Sequence, residues 1–314
     1  MNDCKWSRRT TEKIADQLGH LGIDVSASTV RRLLKSMGFS LKSNRKSIAH
    51  ATSPERNAQF EYIAQLRESY AGEGQPIISV DTKKKELVGQ FKNPGSRWER
   101  QSTPVNDHDF RSQAEGLAVP YGIYEVLLNR GNVYVGTNAE TPEFAADSIA
   151  RWWHTAEKDY TDAKRLLILA DGGGANGVRC RAWKAFVQTQ VADRYRIPVT
   201  VCHYPPGTSK WNPIEHRLFS EISKNWQGKP LDSYETIMNY IRTTRTATGL
   251  HVRARLVKKA YKKGIKISDA QFSQLSMQRH TTLPCGTTLS CHEKCDLILT
   301  QTLKVFFWPE MLVS

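Results

Sequence analysis

Long apolar runs and cysteine-rich clusters are both missing from this sequence. No stretch approaches the roughly 18 apolar residues of a membrane span, and no signal-peptide-like apolar segment follows the N-terminus. We therefore expect a cytoplasmic protein that does not insert into a membrane. Six cysteines in 314 residues are too few for a disulfide scaffold. We expect the isolated Cys4, Cys180 and Cys202 to be free thiols.

A zinc site is the other use of cysteine that the sequence raises. Cys285, Cys291 and Cys295 lie near His280 and His292. Their spacing matches none of the common zinc-binding patterns, and no CxxC pair is present. The pattern therefore argues against a zinc site.

Acidic residues are also in short supply relative to basic ones. Lys and Arg number 45 against 31 Asp and Glu, which gives a net charge of +14. A surplus of this size favours a polyanionic partner, and DNA or RNA is the most common one. From charge alone, a basic protein with no such partner stays an alternative.

Residues 1–47 have the pattern of a small helical DNA-binding module. One helix fits residues 10–19, a turn containing Gly22 follows, and a second helix runs over 27–37 after a Ser26 cap. This is the layout of a helix-turn-helix motif, although any small three-helix bundle would give a similar pattern. The side chains that we expect to contact DNA are Ser28, Thr29, Arg31, Arg32 and Lys35.

The rest of the chain divides into a linker helix at 48–75, an α/β domain at 76–280 and a divergent tail at 281–314 without a predicted fold. In the α/β domain we predict strands at 77–81, 86–91, 121–128, 132–136, 166–170 and 197–202, and helices at 142–157, at 178–195 and around Glu215. Three antiparallel strands followed by alternating strands and helices is the order of a ribonuclease-H-like mixed sheet with helices on both faces.

Three acidic residues lie at the ends of these elements. Asp81 ends the strand at 77–81, Asp171 follows the strand at 166–170, and Glu215 lies in a first helical turn that Pro213 opens. In the predicted topology the two strands are neighbours, so we expect Asp81 beside Asp171, with Glu215 returning over the same edge. A buried carboxylate is costly without a cation, and hard divalent cations prefer oxygen ligands. We therefore predict that the three acids hold two Mg²⁺ ions, which Mn²⁺ can replace, for phosphodiester displacement.

Each acid also has an ordinary structural interpretation. Asp81 could cap a turn, Asp171 could accept hydrogen bonds from the glycine run behind it, and Glu215 could interact with the helix dipole. The joint placement of all three at the ends of core elements favours one shared site.

Residues near the acids carry less specific signals. The run from Asp171 to Gly177 lacks the Gly-Lys-Ser/Thr ending of a Walker A loop, so we interpret its glycines as room for a close approach of metal or DNA to the backbone. Lys83 and Lys210 are predicted DNA contacts, although the lysines after Asp81 would also suit a solvated edge strand.

Two histidines and three tryptophans complete the list of candidates. His203 and His216 lie close to the acids in sequence, and we predict that they orient metal ligands through hydrogen bonds. We place Trp152, Trp153 and Trp183 in the core, because their positions fit buried helix faces better than a surface that stacks bases.

Several blocks occur in order along the sequence: Ile78–Gly89, His108–Phe110, Pro120–Tyr124, Ala170–Gly177 and Pro205–Phe219, continued by Asn225–Leu231 and Thr246–Leu250. Together these blocks resemble the Rhodopirellula-type DDE transposases of bacterial insertion sequences. The likeness covers about residues 6–280, and its Asn-Pro-Ile-Glu segment is also similar to the mariner-like group. The resemblance implies a ribonuclease-H-like catalytic core in which Asp81, Asp171 and Glu215 are the acidic triad.

The resemblance also implies a reaction and partners. Such an enzyme uses Mg²⁺ to cut DNA at terminal inverted repeats and joins the freed 3′-hydroxyl to target DNA. Its partners are these DNAs and, when the ends are synapsed, further copies of itself, in the bacterial cytoplasm at the nucleoid. Two other hypotheses stay open: a DNA-binding relative without cleavage activity, and a recombination or repair nuclease of the same fold.

Overall fold

The computed structural model describes residues 9–41, 56–280 and 287–290. The chain forms two compact units, Met1–Ala51 and Thr52–Ser314. Several predictions concern residues outside the described ranges: the tail apart from 287–290, the start of the linker helix, the free thiol of Cys4, and the Cys285, Cys291, Cys295 and His292 of the zinc pattern.

The described part of the first unit consists of two helices, α1 (Thr11–His20) and α2 (Ala27–Ser36). Thr10 and Ser26 cap them, and each side chain accepts a hydrogen bond from the amide three residues further on. The helices lie where the sequence predicts them, and Val30 of α2 is buried. Whether they form a DNA-binding helix-turn-helix stays a prediction. The residues predicted to contact DNA are exposed except for the half-buried Thr29: Ser28, Arg31, Arg32 and Lys35.

A mixed sheet forms the centre of the second unit. Its described strands are β1 (Ile77–Thr82), β2 (Glu86–Val88), β3 (Gly116–Glu125), β4 (Arg130–Gly136), β5 (Leu166–Asp171), β6 (Val199–Tyr204), β7 (His251–Val257), β8 (Met277–Arg279) and β9 (Thr287–Ser290). They lie in the order β7-β4-β3-β1-β5-β6-β9-β8, with β2 paired to β3. β3 is antiparallel to β1 and β4, while β5 is parallel to β1 and β6. The order β4-β3-β1-β5-β6 is that of a ribonuclease-H-like sheet, which confirms the predicted fold class.

Helices cover both faces of this sheet. They are α3 (Arg56–Gly72), α4 (Pro142–Ala156), α5 (Arg181–Val187), α6 (Asp193–Tyr195), α7 (Ser220–Trp226), α8 (Tyr234–Thr243) and α9 (Asp269–Ser273). Alternate residues of a strand point to opposite faces, so Ile78 and Ile168 pack with α4 and α5 whereas Ile77 and Leu167 pack with α3. The helices α7 and α8 pack with β3, β4 and β7. None of the helices in the described ranges combines the length and apolar character that a bilayer crossing requires.

The core residues agree with the sequence analysis. Trp152, Trp153 and Trp183 are buried, as predicted. Cys180 and Cys202 are free thiols, also as predicted.

Several boundaries differ from the predicted ones for local reasons. β3 ends at Glu125, and a turn with Asn129 at φ 49° replaces the predicted turn at 129–131. β2 stops at Val88 because the chain turns back at Gly89 (φ 147°) and the amide of Phe91 bonds the Gly89 carbonyl at 2.8 Å. The predicted helix at 178–195 begins at Arg181 and passes through a π-helical turn, Gln188–Ala192, before α6.

Gly122 of β3 leaves room for a neighbouring segment to lie close to the sheet. In the register of β1 and β3, Gly122 lies opposite Asp81. A Cβ atom at Gly122 would lie 2.5 Å from Cε1 of Phe219 and 2.8 Å from Cδ1 of Ile214. The missing side chain therefore allows the segment around Glu215 to lie directly on the sheet beside Asp81.

We expect Gly122→Ala to destabilise the protein, because the new methyl group must displace Phe219 and Ile214. Overpacking of this kind costs about 1–3 kcal/mol, measurable as a lower midpoint of thermal unfolding. Gly72→Ala is a matched control, since a Cβ atom there meets nothing within 4 Å among the described residues. Equal unfolding midpoints for the two variants would contradict the close packing at Gly122.

Candidate active site

Two parallel strands bring Asp81 and Asp171 to one edge of the sheet. β1 and β5 pair with Val80 opposite Ala170, so the next residues of the two strands, Asp81 and Asp171, lie side by side. Both side chains are half-buried. The predicted adjacency of these acids is confirmed, although 89 residues separate them in the chain.

Glu215 comes to the same place from a helical segment. It begins a π-helical turn, Glu215–Phe219, that continues into α7. Ile214, Leu218 and Phe219 of this segment are buried against the sheet, which leaves Glu215 half-buried at its edge. The carboxyl group of Glu215 lies close enough to that of Asp81 for each to change the pKa of the other, and Asp171 acts on both through its charge.

Burial raises the pKa of all three carboxyl groups. The pKa of Asp81 rises to about 8, first through burial and then through the charge of Asp171. Burial also raises the pKa of Glu215 and that of Asp171, although the interaction with Asp81 opposes the rise at Glu215 and a hydrogen bond from Asn212 opposes it at Asp171. With a pKa of about 8 the Asp81 carboxyl holds a proton at neutral pH, which lets it lie beside the other acids without a cation.

The donor chemistry of this trio fits Mg²⁺ or Mn²⁺, since hard divalent cations take carboxylate oxygens as ligands. Within residues 9–41, 56–280 and 287–290, no three His, Cys, Asp or Glu side chains already form a ligand set that could hold an ion. Asp171 accepts a hydrogen bond from Asn212, and the raised pKa of Asp81 favours its protonated form. Binding a cation would therefore require loss of that proton and a closer approach of the carboxyl groups to one another.

A buried hydrogen-bond network connects the three acid-bearing elements. Asn212 donates from Nδ2 to Oδ1 of Asp171 at 3.2 Å and accepts a hydrogen bond from the Ser79 hydroxyl. The Ser79 oxygen in turn accepts from the Ile214 amide at 3.1 Å. Ser79 and Asn212 are both 0% exposed. Because buried polar groups need partners, this network fixes the Glu215 segment relative to β1 and β5.

Sequence reasoning missed both Ser79 and Asn212. A signal existed for each: Ser79 interrupts an otherwise apolar strand, and Asn212 directly precedes the proline that opens the Glu215 segment. Their mutual contact spans 133 positions and leaves no trace in the sequence.

The lysines predicted to bind DNA differ in exposure. Lys83 is buried, with Nζ 3.6 Å from Glu86 Oε1 and 4.6 Å from the ring centroid of Trp226. Lys210 is exposed, with Nζ 5.3 Å from the ring centroid of Trp211. A groove of about 530 Å³ runs past Glu215 and is lined in part by Lys83, Lys84, Lys210 and His216. Since Lys84 and Lys210 are exposed, they offer their charge to this groove more readily than Lys83 does.

The two predicted histidines lie in different surroundings. His216 follows Glu215, and its Nε2 donates a hydrogen bond to the Lys210 carbonyl. His203 lies on the other face of the sheet from Asp171, where it shares a small cavity with Trp183, and its Nε2 lies 2.8 Å from the Asn176 carbonyl oxygen. His203 therefore supports the loop after Asp171, whereas His216 lies at the acidic site itself.

The loop after Asp171 has open space at its glycines. A Cβ atom at Gly173 would meet nothing within 4 Å among the described residues, and one at Gly172 would meet only the Tyr204 carbonyl at 3.8 Å. The backbone of Gly173 is extended, with φ −117° and ψ −176°, which any residue adopts. Packing within the described residues does not require glycine at position 173.

A ribonuclease-H-like sheet with acids at the ends of β1 and β5 and at Glu215 is the arrangement of the polynucleotidyl transferase and nuclease class of enzymes. The comparison with protein families is more specific. The family model described as the Rhodopirellula transposase DDE domain matches residues 1–286. The chain therefore belongs to this transposase family, which confirms the resemblance seen in the sequence.

Three solved structures of Mos1 transposase match part of the chain. They are a pre-cleavage Mos1 transpososome (14% identity, TM-score 0.47, 74% of this chain and 66% of that chain), the mariner Mos1 paired end complex with Mg (13%, 0.46, 74% and 65%), and a Mos1 paired-end complex with left transposon end (15%, 0.44, 74% and 65%). The match thus spans slightly less than two thirds of the length of those chains. No curated protein matches the chain.

We expect Asp81→Asn to stabilise the metal-free protein, and to do so more strongly at about pH 8 than at about pH 5. The pKa of Asp81 is about 8 in the folded state and about 3.9 in an unfolded chain. Between these values the folded state holds a proton that the unfolded state has lost, so the contribution of Asp81 to stability falls as pH rises. Asparagine carries no such proton.

Thermal unfolding in EDTA measures this effect. The midpoint of Asp81→Asn should exceed that of the wild type by at least ~3 °C at the higher pH, a shift that about 1 kcal/mol produces in a domain of this size. The exposed Asp162 provides the control Asp162→Asn, for which we expect no pH-dependent difference. A midpoint difference that stays constant with pH would contradict the raised pKa.

Proposed function

We propose that this protein is the transposase of a bacterial insertion sequence, which cuts DNA at terminal inverted repeats and joins the freed 3′-hydroxyl to target DNA. The observation that carries the proposal is the meeting of Asp81, Asp171 and Glu215 at one sheet edge in a strongly basic chain. Membership of the transposase family supports it.

Asp81, Asp171 and Glu215 are the residues that would hold Mg²⁺ or Mn²⁺. A pair of such ions, when bound, activates an attacking oxygen and stabilises the leaving oxygen of a phosphodiester. The reaction has two displacements. Water attacks a phosphodiester, which breaks the bond to the 3′-oxygen and leaves a 5′-phosphate and a free 3′-hydroxyl. That hydroxyl then loses its proton and attacks a phosphodiester of target DNA, which joins it to the target 5′-phosphate and releases a target 3′-hydroxyl.

The chain's own residues would position the DNA for these displacements. Ser79 and Asn212 keep the Glu215 segment aligned with the two strands, so the acids keep their relative places. The exposed Lys84 and Lys210 line the groove past Glu215 and would attract the DNA backbone. The open space at Gly173 would allow a phosphate to approach the loop backbone closely.

The first unit would supply recognition of the terminal repeats. Its exposed side chains at Ser28, Arg31, Arg32 and Lys35, with Thr29 beside them, lie at the start and along the outside of α2. We propose that they bind repeat DNA, and that two or more copies of the chain assemble when both ends are held together, on nucleoid DNA in the bacterial cytoplasm.

A DNA-binding relative without cleavage activity is the second candidate. It is favoured by the absence, among the described residues, of three acidic or histidine side chains that already form a metal-binding set. Binding of repeat DNA without cutting in Mg²⁺ or Mn²⁺ would support this candidate. A recombination nuclease of the same fold would instead cut junctions or damaged DNA and ignore the repeats.

We expect Asp81→Asn, Asp171→Asn and Glu215→Gln each to reduce cleavage of labelled repeat ends by about 100-fold or more, the equivalent of about 2.7 kcal/mol in the barrier. Each change removes a charge that would hold a cation, and it should leave binding of the same DNA in EDTA intact. Glu61→Gln removes a charge from an exposed position of α3 and should cut like the wild type. Wild-type cleavage by any of the three site variants would contradict the assigned roles.

We expect Gly173→Ala to keep or slightly raise stability while it weakens cleavage. The added methyl group faces open space and an extended backbone, so folding loses nothing and the unfolded chain becomes less flexible. A phosphate at the loop backbone would meet the methyl group. Thermal unfolding and the cleavage rate, measured on the same preparation, separate the two effects, and unchanged cleavage would exclude close approach at this glycine.

A further inference from the structure

One segment with many basic residues and no acidic residue includes β7, the outer strand of the sheet next to β4. Residues 236–268 contain nine Lys or Arg and no Asp or Glu. The segment includes β7 and the loop that follows it. In this loop two lysine pairs, Lys258 with Lys259 and Lys262 with Lys263, lie on either side of Ala260-Tyr261.

The topology puts this loop at the same end of the strands as Asp81 and Asp171. β7 is parallel to β4, and β4 and β1 are both antiparallel to β3. β7 therefore runs in the direction of β1 and β5. The paired registers place Ala254 level with Asp81, so Val257 ends β7 three residues, about 10 Å, beyond that level. Three strand spacings, about 14 Å, separate β1 from β7, so Val257 lies about 17 Å from Asp81.

Tyr261 holds the loop in place. Its side chain is 4% exposed, its hydroxyl donates a hydrogen bond to Asp147 of α4, and its ring centroid lies 5.3 Å from that of Phe144. The lysines before and after it are exposed. A buried aromatic anchor in the middle of four lysines makes this loop a fixed basic surface.

The neighbouring acids neutralise only part of this charge. Lys259 pairs with Glu143 at 3.0 Å, and Lys85, after β1, pairs with Glu140 at 2.9 Å. Among the described residues, no ion pair involves Lys258, Lys262 or Lys263. An edge strand often carries lysines that prevent aggregation, but these three lie past the end of β7 and beside the site.

We propose that Lys258, Lys262 and Lys263 bind the phosphate backbone of the DNA duplex whose phosphodiester lies at Asp81, Asp171 and Glu215. This inference rests on the proposed function. A spacing of about 17 Å corresponds to about five base pairs at 3.4 Å each, so the contact lies about five base pairs from the bond that is cut.

The test compares the full-length wild type with Lys262→Gln/Lys263→Gln in EDTA, where binding is measured without cleavage. Loss of two phosphate contacts should make the slope of log affinity against log salt concentration less steep by about 1.8, and should lower affinity about tenfold or more at about 0.1 M salt. Lys262→Arg/Lys263→Arg should retain the wild-type slope. Lys158→Gln/Lys164→Gln removes two exposed charges before β5, at the end of the strands opposite to the acids, and should also behave like the wild type.

A second measurement locates the contact. On duplexes shortened from one side to fewer than about five base pairs beyond the cut, the glutamine variant and the wild type should bind equally, because the missing backbone is the one that the loop contacts. Shortening from the other side should preserve their difference. Persistence of the difference in both series would overturn the proposed location.

The outcomes separate this inference from the proposed function. Wild-type slope and affinity in the glutamine variant, with normal thermal unfolding, would overturn the role of the loop alone. Failure of the wild-type protein to bind any duplex would overturn the proposed function itself.

Discussion

The burial of three like charges at one edge of the sheet is the constraint on which the rest of this structure depends. A carboxylate in a poorly solvated place raises its own pKa, and a second carboxylate beside it raises the pKa further. In the metal-free chain the repulsion is reduced because the raised pKa of Asp81 keeps this carboxyl protonated at neutral pH. A divalent cation would remove the same repulsion and would bind several carboxylate oxygens at once, so it can replace the proton. The chain can thus fold without a cation, and the site can still accept one.

Such an arrangement requires that the elements carrying the acids be fixed by something other than the acids. Asn212 and Ser79 perform this task, because their hydrogen bonds join β1, β5 and the Glu215 segment below the level of the carboxyl groups. Gly122 adds a second constraint from the neighbouring strand, since it admits Ile214 and Phe219 to close contact with the sheet. The positions of the acids are therefore decided by neutral residues that take no charge themselves.

Features that depend on where strands end can be predicted from the sequence, whereas features that depend on contacts between distant residues cannot. Asp81 and Asp171 were placed correctly because apolar strands and parallel topology bring their ends together. His203 lies on the face of the sheet opposite Asp171 because strand side chains alternate, and its predicted part in orienting metal ligands stays a prediction. The burial of Lys83 depends on Trp226, which is 143 positions away and has no local signal. β7 was missed although Val252 and Ala254 alternate with exposed arginines, a pattern typical of a half-buried strand.

One helical segment serves both the core and the site. Residues four apart lie on one face of a helix, so Ile214 and Leu218 both pack on the sheet. Glu215 directly follows Ile214 and lies at the border of that buried face, half-buried beside Asp81. The turn over Glu215–Phe219 is π-helical, and such turns often occur at functional sites. The same residues that stabilise the core therefore set how far the third acid extends over the other two.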